Sequence, residues 1–209
     1  LVLASTSSAQ LIGIAGSTAA PAKTLGGYTM TSFADDTRPD FGLVNKLSTP
    51  IGGDLSFGLL PVAHFEVGEG WLTWSNGYSG DIYFSNGLIP LKLTLPTATK
   101  AFYFYAESND RGNHKFTVKS GNVTLKETVN GNGGAELFGF YAEGNAFLSS
   151  ITISSNDITG FAIGEFGIAG VAPTAEADAA PLPVPEPSTY AMADAVVLCG
   201  LVFVRRLCL

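Results

Sequence analysis

The chain has 209 residues, a formal net charge of −7, only 14% charged residues and 25 glycines. That length suits one well-buried domain with tails, and the acidic balance excludes nucleic acid, whose phosphates need clustered Lys and Arg. Both cysteines, Cys199 and Cys208, lie near the C-terminus, so the expected folded part has neither a disulfide nor a thiolate nucleophile.

In chain order, Leu1-Val2-Leu3-Ala4 reads as the end of an apolar signal core, and Ser7-Ser8-Ala9 offers the small residues that a signal peptidase reads. Residues 1–10 are therefore expected to be the remnant of a secretory signal. A β-domain is expected over 11–170. Abundant Gly with Phe, Tyr, Ile, Val and Thr, and no long amphipathic pattern, points to an all-β chain.

Alternation is plain in Leu91–Leu95, Lys115–Lys119 and Val123–Lys126, each with one apolar and one wet face. Asn76-Gly77, Asn86-Gly87 and Asn130-Gly131 are expected to supply the positive φ of tight hairpin turns. Three aromatic phrases, Ala101–Tyr105, Leu137–Tyr141 and Phe161–Ile168, read as central strands, with glycines where a neighbouring ring must fit. Apolar parity switches between Ile163 and Phe166, which predicts a bulge near Gly164-Glu165. The expected architecture is an antiparallel β-sandwich, jelly-roll-like, followed by a Pro-rich linker and a single C-terminal hydrophobic helix.

Residues 171–183 change to Ala, Pro and acidic residues, the composition of a semi-extended spacer. The last stretch, 184–209, joins Val184-Pro185-Glu186-Pro187-Ser188 to an apolar run from Tyr190 to Val204 and then to Arg205-Arg206. The prolines hold an extended backbone, the run offers a lipid-soluble helix of roughly 22 Å against the ~30 Å of a bilayer core, and the arginines resist translocation. Asp194 falls inside the run, near its outer end.

This tripartite tail resembles the PEP-CTERM sorting signal of exported bacterial proteins. The phrases of the middle region, with Trp71–Tyr78, are also similar to the globular region of many such proteins. The resemblance implies export through a signal peptidase and a translocon, transient anchoring of the C-terminal helix in the inner membrane, and processing by an exosortase. It also implies delivery to the cell surface or an exopolysaccharide matrix, with the sorting motif at Val184, Pro185, Glu186, Pro187 and Ser188 and the cytoplasmic stop at Arg205 and Arg206. It carries no activity for the domain.

Within the domain, no Gly-x-Ser-x-Gly elbow, His-Glu-x-x-His, phosphate loop or dinucleotide fingerprint occurs. A structural or adhesive, non-enzymatic role is expected. A carbohydrate-binding module is the alternative, because Trp71, Trp74 and Tyr78 crowd beside Asn76 and Asp81 as a glycan platform would. Read as a strand, Trp71 and Trp74 point to opposite faces, and the platform requires the rings to be exposed and coplanar. A surface glycan hydrolase would need two carboxylates facing one cleft, from among Glu66, Glu69, Asp81 and Glu165. Asp35, Asp36 and Asp40 are candidate ligands for a structural calcium, with solvated turn acids as the plainer reading. His64, in an alternating stretch, and His114, in a polar loop, would both be needed for a zinc site, and their spacing does not suggest one.

Overall fold

The alternating stretches are strands in the computed structural model, which describes residues 9–171. Residues 1–8 and 172–209, on which the expected signal remnant, linker, sorting tail and C-terminal helix fall, lie outside the described residues. Among the described residues there is no helix, and all strand pairs within the sheets are antiparallel.

One sheet runs in space through β1 (Gln10–Ala15), β14 (Glu136–Glu143), β11 (Thr99–Ser108), β16 (Phe161–Gly170), β9 (Asp81–Phe84), β8 (Val62–Glu66) and β5 (Leu43–Val44), and β4 (Thr31–Ser32) also pairs with β16. The other runs through β13 (Val123–Asn130), β12 (Asn113–Ser120), β15 (Ser150–Ser155), β10 (Leu91–Thr94), β7 (Asp54–Ser56) and β6 (Lys46–Ser48). A small ribbon pairs β2 (Thr24–Leu25) with β3 (Tyr28–Thr29).

The period of two decides which residues form the core. Phe102 and Phe104 of β11, Phe138 and Phe140 of β14, and Ile163 and Phe166 of β16 share one apolar cluster with Leu91 and Leu93 of β10, Phe116 and Val118 of β12, and Ile151 and Ile153 of β15. Two sheets therefore face each other across a common core, consistent with a β-sandwich. The alternate residues Ala101, Tyr103 and Tyr105 point to the outer face of the first sheet, where Leu25 and Ala135 pack on them. This sheet is covered on both sides.

The parity switch in Phe161–Ile168 is a bulge. Tyr103 pairs with Gly167 and Tyr105 with Gly164, so β16 carries one extra residue there and both Ile163 and Phe166 reach the core. Glu165 takes the strained position, at φ 51°. Gly167 lies under a ring as the sequence implies, since a Cβ there would overlap Tyr103.

The expected turns need correction. Asn76 and Asn86, with Gly77 and Gly87, have positive φ but connect no paired strands: the first pair lies in the loop before β9, and the second joins strands of different sheets. Gly131 is not left-handed; it is needed because a Cβ would strike the Asp110 carbonyl. Tight hairpins stand instead at β12–β13, where Ser120 opposes Val123 and Gly121 takes φ 54°, and at β2–β3, where Leu25 opposes Tyr28 and Gly26 and Gly27 both have positive φ.

Candidate functional site

The bulge in β16 is where its partner changes. Ala162, Ile163 and Gly164 pair with β9, while Gly167 and Ile168 pair with β4. Between these two short partners the sheet edge opens into a cavity of about 180 Å³, lined in part by Ser32, Asp35, Tyr78, Asp81, Tyr83 and Glu165. Asp81 and Glu165 thus meet at one cavity, as a hydrolase would require. Glu66 and Glu69 do not line it.

Three of the four carboxylate oxygens of Asp81 and Glu165, however, are committed. Asp81 Oδ1 lies 2.7 Å from His64 Nε2, and its Oδ2 accepts the Asp36 backbone N–H at 2.7 Å. The Glu165 Oε2 accepts the Trp74 indole N–H at 3.1 Å and the Asn76 amide at 3.2 Å. Burial raises the Glu165 carboxyl above the usual range, partly offset by those two donors. Tyr78, which donates to the Asp81 carbonyl at 3.0 Å, is itself pushed far up by burial and by the charges of Asp81 and Glu165. It is a neutral donor throughout the physiological range.

Behind the cavity, His64 on β8 is fully buried. Its Nε2 faces the Asp81 carboxylate and its Nδ1 faces the Pro39 carbonyl at 3.3 Å. Both neighbours accept, so the ring satisfies them best with a proton on each nitrogen. Burial alone would lower its pKa, but Asp81, the Pro39 carbonyl and the Asp36 charge together raise it. Asp36 also takes the Tyr83 hydroxyl at 3.0 Å and Arg38 at 2.7 Å, so the segment 36–40 is tied to β8 and β9.

These ties assign work to two of the calcium candidates. Asp36 is held by Arg38 and Tyr83, Asp40 accepts the Glu66 backbone N–H at 2.9 Å, and Asp35 lines the cavity. Among the described residues no three His, Cys, Asp or Glu side chains converge as a metal site would need. His64 and His114 sit on strands of different sheets. His114 opens β12 and is not in a loop, which corrects the expectation.

The glycan platform also needs correction. Trp71–Asn76 is loop, apart from a lone bridge at Trp71, so strand parity does not apply. Trp71 and Trp74 both pack on the outer face of the first sheet, around Phe65, Ile82 and Ala162. Each is half-buried, and Trp74 and Tyr78 are tilted by 43° at 6.2 Å, so the rings are not a coplanar exposed surface.

What holds this loop is a residue that the sequence reading passed over. Glu107 on β11 is fully buried, and its oxygens accept the Trp71 indole N–H at 2.8 Å and the Thr73 hydroxyl at 2.7 Å. Burial raises its pKa against the pull of those two donors. The available signal was parity: Glu107 follows Tyr103 and Tyr105 onto the outer face, where two indole N–H groups need acceptors. Glu107 and Glu165 form a pair of buried carboxylates, each fastening one tryptophan. In comparisons with known proteins the chain matches no family model, and neither a curated protein nor a solved structure matches it.

Proposed function

We propose that the chain is an exported, non-enzymatic protein, sorted by its C-terminal tail and serving a structural or adhesive role at the cell surface or in an exopolysaccharide matrix. The reading of the tail rests on its residues: Val184-Pro185-Glu186-Pro187-Ser188, the apolar run and Arg205-Arg206 stand in the order of a PEP-CTERM signal. Exosortase, signal peptidase and the export translocon are the partners it implies, with the apolar run as a transient inner-membrane helix.

The observation that carries the non-enzymatic reading is that the buried acids are used as fasteners. Asp81 is engaged through both oxygens, Glu107 through both by Trp71 and Thr73, and Glu165 through Oε2 by Trp74 and Asn76. A hydrolase would keep its acid and its nucleophile or base facing substrate. The repeated crossing of the chain between sheets, from β9 to β10, β11 and β12, favours a jelly-roll-like winding.

The test is delivery. A tagged copy of the chain, fused behind an intact secretory signal and expressed in a bacterium with an exosortase, should reach the envelope and lose its tail, and scrambling Pro185-Glu186-Pro187 should leave it unprocessed in the inner membrane. Equal processing of both forms, or retention in the cytosol, refutes the sorting reading. Turnover of any glycan by the purified protein refutes the non-enzymatic one.

A further inference from the structure

At a second site, which shares no lining residue with the acidic cavity, three loops converge. The β11–β12 turn, the β13–β14 turn and the loop before β9 enclose an open cleft of about 230 Å³, lined chiefly by Trp71, Leu72, Thr73, Asn109, Arg111 and Asn132. We propose that this cleft binds a saccharide unit bearing a carboxylate, a uronate of an acidic polysaccharide, with Trp71 as the apolar wall and Arg111 as the carboxylate clamp.

The walls are held in place before any ligand arrives. Glu107 anchors Trp71 and Thr73 from below, so the indole and the hydroxyl flanking the cleft share one buried support. Asn132 donates from its amide to the Arg111 carbonyl at 3.0 Å, and its own N–H is capped by Asn130 at 2.8 Å, which ties one turn to the other. Gly131 lets the turns approach, because a Cβ would collide with the Asp110 carbonyl. A preorganised cleft loses little conformational entropy on binding.

The lining chemistry selects the ligand. A half-buried indole and the exposed Leu72 offer apolar surface to the carbon face of a sugar ring. The Asn109 amide donates to Thr159 at 3.1 Å and the Asn132 amide to Arg111, which directs the carbonyl oxygen of each side chain to accept from hydroxyls. Arg111 forms no ion pair among the described residues, although the chain is acidic overall. A guanidinium without an acid of its own, beside an aromatic wall, suits a planar carboxylate through a two-pronged contact. The volume is small, so the cleft takes one ring of a polymer that continues out of its open ends.

This deepens the proposed function by naming a partner class, and it rests on that reading for where the polysaccharide is met. The test uses purified full-length protein titrated with short galacturonic acid oligomers and with glucose oligomers of the same length, followed by calorimetry. The acidic oligomer should bind, the neutral one at least tenfold more weakly. Arg111→Gln, on an exposed turn, should weaken the acidic oligomer at least tenfold while leaving the melting temperature unchanged, and raised salt should weaken wild-type binding. The proposal is overturned if wild type binds neither oligomer, if Arg111→Gln binds as wild type does, if the neutral oligomer binds equally well, or if an acidic peptide binds more tightly. A chain with Pro185-Glu186-Pro187 scrambled should keep full affinity, so failed sorting and failed binding are separable.

Discussion

Replacing Glu107 separates the two roles that a buried carboxylate can have. In Glu107→Ala the Trp71 indole N–H loses its acceptor, at about 1–2 kcal/mol for a half-buried donor. One buried methylene goes as well, at about 0.8 kcal/mol, for a total of about 2–3 kcal/mol. Glu107→Gln keeps an oxygen for the indole, and its amide donates to the Thr73 hydroxyl, which can turn to accept. The lost charge assistance is then offset by the removal of a buried charge, and the net change stays within about 1 kcal/mol. Urea unfolding followed by fluorescence reads this directly, because the chain has only two tryptophans and both sit in this loop. The pH arm has a definite sign. Burial raises the Glu107 pKa, so the folded state binds the extra proton, and stability falls as pH rises from about 4.3 through the folded value. Glu107→Gln should reduce that decline. If Glu107→Ala costs less than about 0.5 kcal/mol, or Glu107→Gln falls as far as Glu107→Ala, the loop is not fastened in this way.

His64 gives the same direction at higher pH. Its raised pKa means that the contribution of the His64–Asp81–Pro39 contact is complete below about pH 6.5 and fades as pH climbs through the folded value. The stability gap between wild type and His64→Gln should therefore shrink with rising pH in thermal melts, and a widening gap contradicts the assignment. Gly167→Ala should cost about 1–3 kcal/mol, because its methyl would enter the Tyr103 ring. Tyr103→Leu in the same chain should recover part of that loss, and strictly additive losses would argue against the clash.

The long strands were legible because their residues alternate without interruption. Lys115–Lys119 and Val123–Lys126 form the middle of the β12–β13 hairpin, and the Ile163 to Phe166 parity switch marked the bulge. The region from Thr24 to Ser56 was not legible, since β2 to β7 have only two or three residues each, too few for periodicity to show. The tryptophan loop misled for a related reason: aromatic spacing looks strand-like whether backbone partners exist or not. The cleft around Arg111 was hidden because Trp71, Arg111 and Asn132 are distant in sequence and are brought together only by sheet topology.

The pairings of β1 with β14 and of β4 with β16 have a consequence for the order of synthesis. The earlier strand of each pair waits for a partner made more than a hundred residues later, so this sheet cannot close until β14 and β16 have emerged. An unfinished sheet of this kind stays threadable, which under the proposed export would let the chain pass a narrow channel before its later strands lock the sheet.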